Sequence, residues 1–252
     1  MNAFRKTSAV LLVCVLVGGW FVHPAAGQSF KEADQFYKDS KYDEAVEAYE
    51  KLLRGGSESG NLYYNLGNSY FKKGDLGRAI LNYERAKLFI PHDSDLRSNY
   101  DFVRGVLNLP ARYSSEIWFF RWLDRLFDGA GLNMLTILVS ALWLTMIVLL
   151  SAALFLSAFR QFAAPLAGML AVLLIVCSLA LSRKIGYYEH GAVVTANGAD
   201  AKFEPNSGAT TYFKLAEGQS ILMLDRSAGW VKILRPDSKI GWVEAADVSA
   251  IR

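Results

Sequence analysis

Hydrophobic and polar positions divide the chain into contrasting regimes. From residue 28 to 109, apolar and small residues return every three or four positions, the spacing of amphipathic helices. In the stretch "YYNLGNSYFKKGDLGRAILNYERAKLFIP", residues 63–91, that rhythm stops at Gly74-Asp75 and resumes, which predicts a helical hairpin. Leu96, Tyr100, Val103 and Leu107 form one further stripe, a helix ending before Pro110. Residues 129–159 and 161–182 are continuous apolar runs, the first without a charged residue. The last 62 residues, 191–252, break into short β-branched and aromatic runs between turn signals.

Each long apolar run suffices for one membrane crossing, which takes about 20 apolar residues. The pattern predicts spans at 130–158 and 162–182, joined by a turn around Arg160, with Pro165 starting the second span. A pair of buried soluble helices is the alternative, though few soluble cores hold such long charge-free runs. A shorter apolar run opens the chain. Arg5 and Lys6 precede Ala9–Val17, and Ala25-Ala26-Gly27 offers small residues for cleavage, so residues 1–27 read as an export signal or as an uncleaved anchor. Either reading puts the segment after it outside the cytoplasm, and two crossings return residues 183–252 to the same side. The distribution of cations runs the other way: Arg121, Arg125, Arg183 and Lys184 flank the outer ends and only Arg160 the inner turn.

Ahead of the first span, "EIWFFRWLDRLFDG" puts Arg121, Asp124, Arg125 and Asp128 in one polar stripe, with aromatic and leucine residues around the rest. Residues 113–128 are therefore expected to form a helix at the membrane interface, with Trp118, Phe119 and Trp122 in the headgroup layer and the charges in water. A helix packed on the preceding domain is the competing reading.

The hairpin has a template: Tyr63-x2-Leu66-Gly67-x2-Tyr70, then Ala79-x3-Tyr83, Ala86 and Pro91. A shift of 34 residues maps Gly67 onto Ala33, Tyr70 onto Phe36, Ala79 onto Ala45 and Tyr83 onto Tyr49, so small matches small and aromatic matches aromatic. Small residues stand where helices cross closely; rings fill the hairpin interior. The template resembles the tetratricopeptide repeat (TPR), a 34-residue helix–turn–helix unit. The resemblance implies repeats at 28–59 and 60–93 and a capping helix at 94–109, together a domain over 28–112. It also implies a concave face, lined by the first helices, that takes a partner segment. By register, Lys31, Asn65 and Asn99 share one position, with Asp34, Lys38, Asn68 and Lys72 nearby on the same face. Asn can pair with a peptide backbone through both donor and acceptor; the alternative is that these Asn stitch adjacent helices together.

The C-terminal segment, 190–252, has turn signals at Asn197-Gly198, Asn206-Ser207-Gly208, Ala228-Gly229 and Pro236-Asp237. Its Pro205…Gly208 loop, the strand start "LAEGQSILML", and "GWVKI" followed by "GWVEAADV" resemble bacterial SH3-like domains, all-β barrels that often bind peptidoglycan peptides or protein segments. That resemblance implies a ligand face at Tyr212, Phe213 and Trp230, against core packing as the alternative for these rings. Trp242, between Gly241 and Val243, is expected in the core.

Composition narrows the chemistry. Residues 28–112 hold 13 basic and 13 acidic side chains and residues 183–252 hold 9 and 8, so neither soluble part is a basic patch and nucleic acid is not an expected partner. Cys14 and Cys177 both lie in apolar runs and build neither a disulfide framework nor a metal site. His23, His92 and His190 do not cluster; there is no phosphate-cradling glycine loop, nucleophile elbow or metal-ligand spacing. No cofactor and no enzymatic activity are expected. The fold class is thus all-α repeat hairpins, a transmembrane α-hairpin and a C-terminal all-β SH3-like barrel.

That order of parts, with "PHDSDLRSNYDFVRGVL" after the second repeat and a Trp-rich approach to the membrane, resembles the repeat-bearing BatE-type member of the Bacteroides aerotolerance (Bat) proteins. The resemblance implies partners among envelope proteins: von Willebrand A-domain membrane proteins and, indirectly, a MoxR-type AAA+ ATPase. It implies an inner-membrane scaffold in stress tolerance or envelope integrity, with peptidoglycan recognition through the SH3-like domain as the alternative role.

Overall fold

The computed structural model describes residues 24–109, 118–127, 129–155 and 160–252. Residues 1–23, which hold most of the expected export signal, lie outside the described residues, as do Asp128 and the turn between the apolar runs. Among the described residues, eight helices precede one sheet: α1 (Pro24–Lys38), α2 (Tyr42–Arg54), α3 (Gly60–Lys73), α4 (Leu76–Phe89), α5 (Ser94–Val106), α6 (Trp118–Leu126), α7 (Leu132–Phe155) and α8 (Arg160–His190).

Local chemistry sets the helix ends. Ser59, Asp75 and Asp93 each accept a hydrogen bond from the amide three residues on, at Leu62, Arg78 and Leu96, satisfying amides that α3, α4 and α5 leave unpaired. Gly74 closes α3 in the left-handed conformation, φ 89°. The helices pair as α1–α2 and α3–α4, and α5 packs on α4. Rings and small residues interlock within the hairpins: Tyr49 and Tyr83 are fully buried, as are Ala33, Ala45, Ala79 and Ala86. A Cβ on Gly67 would come within 2.7 Å of the Tyr83 ring, so the crossing of α3 and α4 requires glycine there.

The second unit is a seven-stranded antiparallel sheet: β1 (Gly191–Val194), β2 (Ala199–Lys202), β3 (Thr211–Leu215), β4 (Ser220–Ser227), β5 (Trp230–Leu234), β6 (Ile240–Glu244) and β7 (Val248–Ala250). Its order is β3-β2-β6-β5-β4-β1-β7, so the ladder is open, with edges at β3 and β7, where the sequence predicts a closed barrel. Inward residues of all seven strands, among them Val194, Ala201, Phe213, Ile221, Val231, Val243 and Val248, nevertheless share one core. Ala228 and Gly229, both at positive φ, make the two-residue turn between β4 and β5 that matches strand twist.

The two units are fused through β1. All four of its residues are buried. Ala192 and Val194 face the sheet core, whereas Val193 joins Tyr188, Ile251 and the helical core. Helix α4 lies against this seam. Its Gly77 amide donates to Glu217 Oε1 at 2.7 Å, and the Arg85 guanidinium donates to the carbonyls of Ala250 (2.8 Å) and Ile251 (3.0 Å), covering the β7 edge. Burial pulls the Arg85 pKa below its ordinary value, the cost of desolvating the cation that those two carbonyls offset.

Helices α7 and α8 pack on each other. By length and composition, Leu132–Phe155 and Phe162–His190 are each able to cross a membrane, and both are largely uncovered by protein. The buried side chains of α7, Leu135, Leu142 and Leu149, repeat every seven residues; Ala163, Cys177 and Ala180 are buried on α8. Two expectations are corrected here. Pro165 lies inside α8, in its second turn. The second apolar helix is expected to end at 182 but continues to His190 and runs directly into β1.

Replacing Gly77 with Val would set a Cβ within 2.9 Å of the Val194 carbonyl and 3.0 Å of Thr195 Cα, backbone atoms that cannot rotate away. We expect Gly77→Val to destabilise the full-length protein by about 1–3 kcal/mol, the usual range for overpacking. Gly105→Ala, in an open helical position, should instead stabilise it by up to ~1 kcal/mol. Thermal unfolding in detergent checks both signs.

Candidate partner-binding face

Helices α1, α3 and α5, the first helix of each hairpin and the cap, lie side by side as an inner layer. A polar ladder joins them and repeats with the 34-residue period. In its first rung the Tyr49 hydroxyl and Asn65 Nδ2 (3.0 Å) both donate to Asp34 Oδ1. In the second, the Tyr83 hydroxyl (2.8 Å) and Asn99 Nδ2 (3.0 Å) both donate to Asn68 Oδ1. Asn99 Nδ2 also reaches the Tyr64 hydroxyl at 2.9 Å. Each rung ties an inner helix to its own hairpin partner and to the next inner helix. The amide groups of Asn65 and Asn99 are thus engaged between helices, and Asp34 and Asn68 are the acceptors they share.

Sequence reasoning singled out those four residues but treated Tyr49 and Tyr83 only as ring filler. The available signal was Tyr, not Phe, at both equivalent positions. A parallel pair of contacts takes the Tyr70 hydroxyl to Glu50 and the Tyr100 hydroxyl to Glu84, which is fully buried.

Lys31, Lys38 and Lys72 extend from the same layer into solvent, with no ion pair assigned to them among the described residues. Lys72 Nζ lies 5.8 Å from the Phe71 ring centroid. Phe71 meets Phe102 edge-on at 5.8 Å, and Phe102 is 60% exposed, an unusual state for a large ring. Phe102 was missed because it lies opposite the Leu96-Tyr100-Val103 stripe that defines the buried side of α5.

On the sheet, the rings of Tyr212 and Phe213 meet edge-on with centroids 5.2 Å apart, one facing solvent and the other the core. Tyr212 is exposed, its ring tilted by 31° against that of Phe203 with centroids 4.5 Å apart, a neighbour that sequence reasoning passed over. Phe213 points into the core, with the Arg235 guanidinium 4.5 Å above its ring. Trp230 lies half-buried, with Lys202 Nζ 5.3 Å from its ring. Trp242 is not a core residue: Gly241 and Val243 are buried on either side of it, so strand alternation turns the indole outward, where Lys232 covers it at 5.8 Å.

Helix α6 packs through Leu123, which is fully buried, while Trp118 and Trp122 are exposed and Phe119 is partly covered. Asp124, expected in water with the other charges, instead makes a two-pronged ion pair with Arg183 on α8, at 3.1 and 2.8 Å. Lys184 donates to the carbonyls of Phe127 and Ala130 just beyond the end of α6, where a cation satisfies unpaired acceptors.

Burial raises the phenol pKa values of Tyr49, Tyr70 and Tyr83, reinforced at Tyr49 by Asp34 and at Tyr70 by Glu50. A folded-state pKa above the unfolded value of about 10 gives stability that is complete below that pH and lost as pH rises above it. We expect the unfolding midpoint to hold to about pH 10 and then fall. Tyr83→Phe should shallow that fall while costing roughly 1 kcal/mol at neutral pH. Denaturant titrations across pH, with phenolate absorbance followed in parallel, measure both.

Residues 30–93 match the family described as Tetratricopeptide repeat. No curated protein sequence matches the chain. With the 34-residue ladder and the paired helices, the match identifies α1–α4 as tetratricopeptide repeats, a protein-interaction module.

Proposed function

We propose that the protein is a membrane-anchored, non-enzymatic scaffold whose repeat array holds a segment of another envelope protein along α1, α3 and α5. One observation carries this reading: the protein's own sheet covers the α4 side of the array, whereas the inner layer leaves Phe102 and three lysines uncovered. Lys31, Lys38 and Lys72 contact the bound segment; Asp34, Asn65, Asn68 and Asn99 hold the floor on which it lies. The apolar helices α7 and α8 anchor the protein in the cytoplasmic membrane, with repeats and sheet on the extracytoplasmic side and Trp118, Phe119 and Trp122 at headgroup level. The resemblance to BatE-type proteins suggests partners among von Willebrand A-domain membrane proteins linked to a MoxR-type ATPase, in a stress-tolerance complex. Anchoring raises the effective concentration of whatever the scaffold holds.

A photo-crosslinking residue at position 72 or 102 of the full-length protein in its native membrane tests this. It should yield an adduct with a discrete envelope protein, whereas one at the exposed Glu47 on α2 should not. Equal labelling from all three positions, or none from 72 and 102, overturns the reading.

A second reading rests on the adjoining, exposed rings of Phe203 and Tyr212 on the sheet, which would suit an SH3-like domain that recognises peptidoglycan. Under it, full-length protein in detergent co-sediments with insoluble peptidoglycan, and Phe203→Ala with Tyr212→Ala releases it. Retention of the double variant rejects that role for these rings.

A further inference from the structure

Helix α6 divides cleanly by what covers it. At 100° per residue, Phe120, Leu123 and Asp124 fall on one side, and this side is the docked one: Leu123 is fully buried, Asp124 pairs with Arg183, and the Arg183 guanidinium lies 4.6 Å over the Phe120 ring. The opposite arc carries Arg121, Arg125, Trp118, Trp122 and Leu126 in one continuous band. Trp118 is 71% exposed, Trp122 48% and Leu126 56%. Arg121 and Arg125 are also exposed and have no ion-pair partner among the described residues. The described acid between them, Asp124, is already committed to Arg183. On the open face the two guanidinium groups, which have no ion-pair partner among the described residues, border the exposed indoles.

We propose that this face binds anionic phospholipid headgroups of the leaflet at which α7 begins and the apolar part of α8 ends. The inference rests on the reading of α7 and α8 as membrane spans. Continuity and charge both favour this occupant. The amide chain passes from α6 into α7 within a few residues, and Lys184, two residues past the apolar run 161–182, is tied to the α6–α7 turn. That tether holds α6 at the end of the apolar hairpin, where indole rings favour the boundary between acyl chains and water. The guanidinium groups of Arg121 and Arg125, with no ion-pair partner among the described residues, there meet phosphates, which they bind in a planar, two-pronged fashion. A basic residue near an anionic surface strengthens association by about fivefold, so the pair should favour anionic over zwitterionic lipid by roughly 25-fold at low salt.

The test uses the full-length protein in phosphatidylcholine vesicles that contain phosphatidylglycerol, with bromine, a collisional quencher, on the acyl chains of one lipid or the other. Two variants keep a single tryptophan, at position 122 or at position 143 in α7, with the other five changed to Phe. We expect Trp143 to be quenched alike by both brominated lipids. Trp122 should be quenched preferentially by brominated phosphatidylglycerol, and Arg121→Gln with Arg125→Gln, or high salt, should abolish the preference. Equal quenching of Trp122 by both lipids overturns the anionic site while leaving the spans intact. Trp122 shielded from both, with Trp143 quenched, means that protein covers this face and overturns the proposal. An unquenched Trp143 overturns the membrane reading itself.

Discussion

The architecture depends on one buried seam, where α4 of the repeat array meets β1 and β7 of the sheet. An open antiparallel sheet exposes unpaired backbone groups along both edges, a liability that must be covered. Here the carbonyls of Ala250 and Ile251, at the end of the β7 edge, are taken up by Arg85, a residue of a different structural unit. Arg85 cannot leave that position without stranding a desolvated cation, and the edge cannot lose Arg85 without stranding its acceptors. Gly77 makes the contact possible by letting helix and strand backbones approach within the space a single methyl group would fill. At the opposite edge, Arg235 reaches the Lys214 carbonyl of β3 at 3.4 Å, a weaker version of the same device supplied from within the sheet.

This seam decides which surfaces remain for partners. β1 is buried on both faces because it closes two cores at once, and the flank of α4 facing it is unavailable. The inner layer is left open, and its rigidity comes from side chains, not from burial alone. In each rung one oxygen accepts from two donors on two other helices, so a displacement of any inner helix breaks bonds to both neighbours. Repeat arrays gain stability from nearest-neighbour contacts. The two hairpins among the described residues have few of these, and the rungs, α5 and the sheet add further contacts to them.

Much of this was legible in the sequence. The hairpin turn at Gly74-Asp75, the close crossing at Gly67 and the two apolar runs follow from local rules that act within a few residues. Register alone groups Asp34 and Asn68 with Asn65 and Asn99; that these side chains bond between helices is settled only by the packing. What escaped were facts settled by pairing across long separations. Periodicity assigns Asp124 to a wet stripe, because a helical wheel knows nothing of Arg183, which lies 59 residues further on. The position of Trp242 between Gly241 and Val243 reads as a core position, but once strand alternation is applied those same buried neighbours turn the indole outward. The seam itself left only an ambiguous trace: Ala192-Val193-Val194, a run without alternation, which fits a strand buried on both faces but also fits a short stretch of buried helix.

The continuous path from α8 into β1 adds a mechanical consequence. A flexible linker would let the apolar hairpin and the sheet move independently, but here the helix extends from the apolar run to His190 and the next residue is already paired with Leu222 in the sheet. Tyr188 near the end of that helix is packed in the repeat core, and a Cβ on Gly131, at the start of α7, would come within 3.1 Å of Pro91 at the end of the second repeat. Both apolar helices therefore contact the repeat array directly, one through its final turns and one through its first. Arg183 and Lys184 complete the junction by holding α6 and the α6–α7 turn. The final turns of α8 and the start of α7 are thus held against the repeat core by packed side chains.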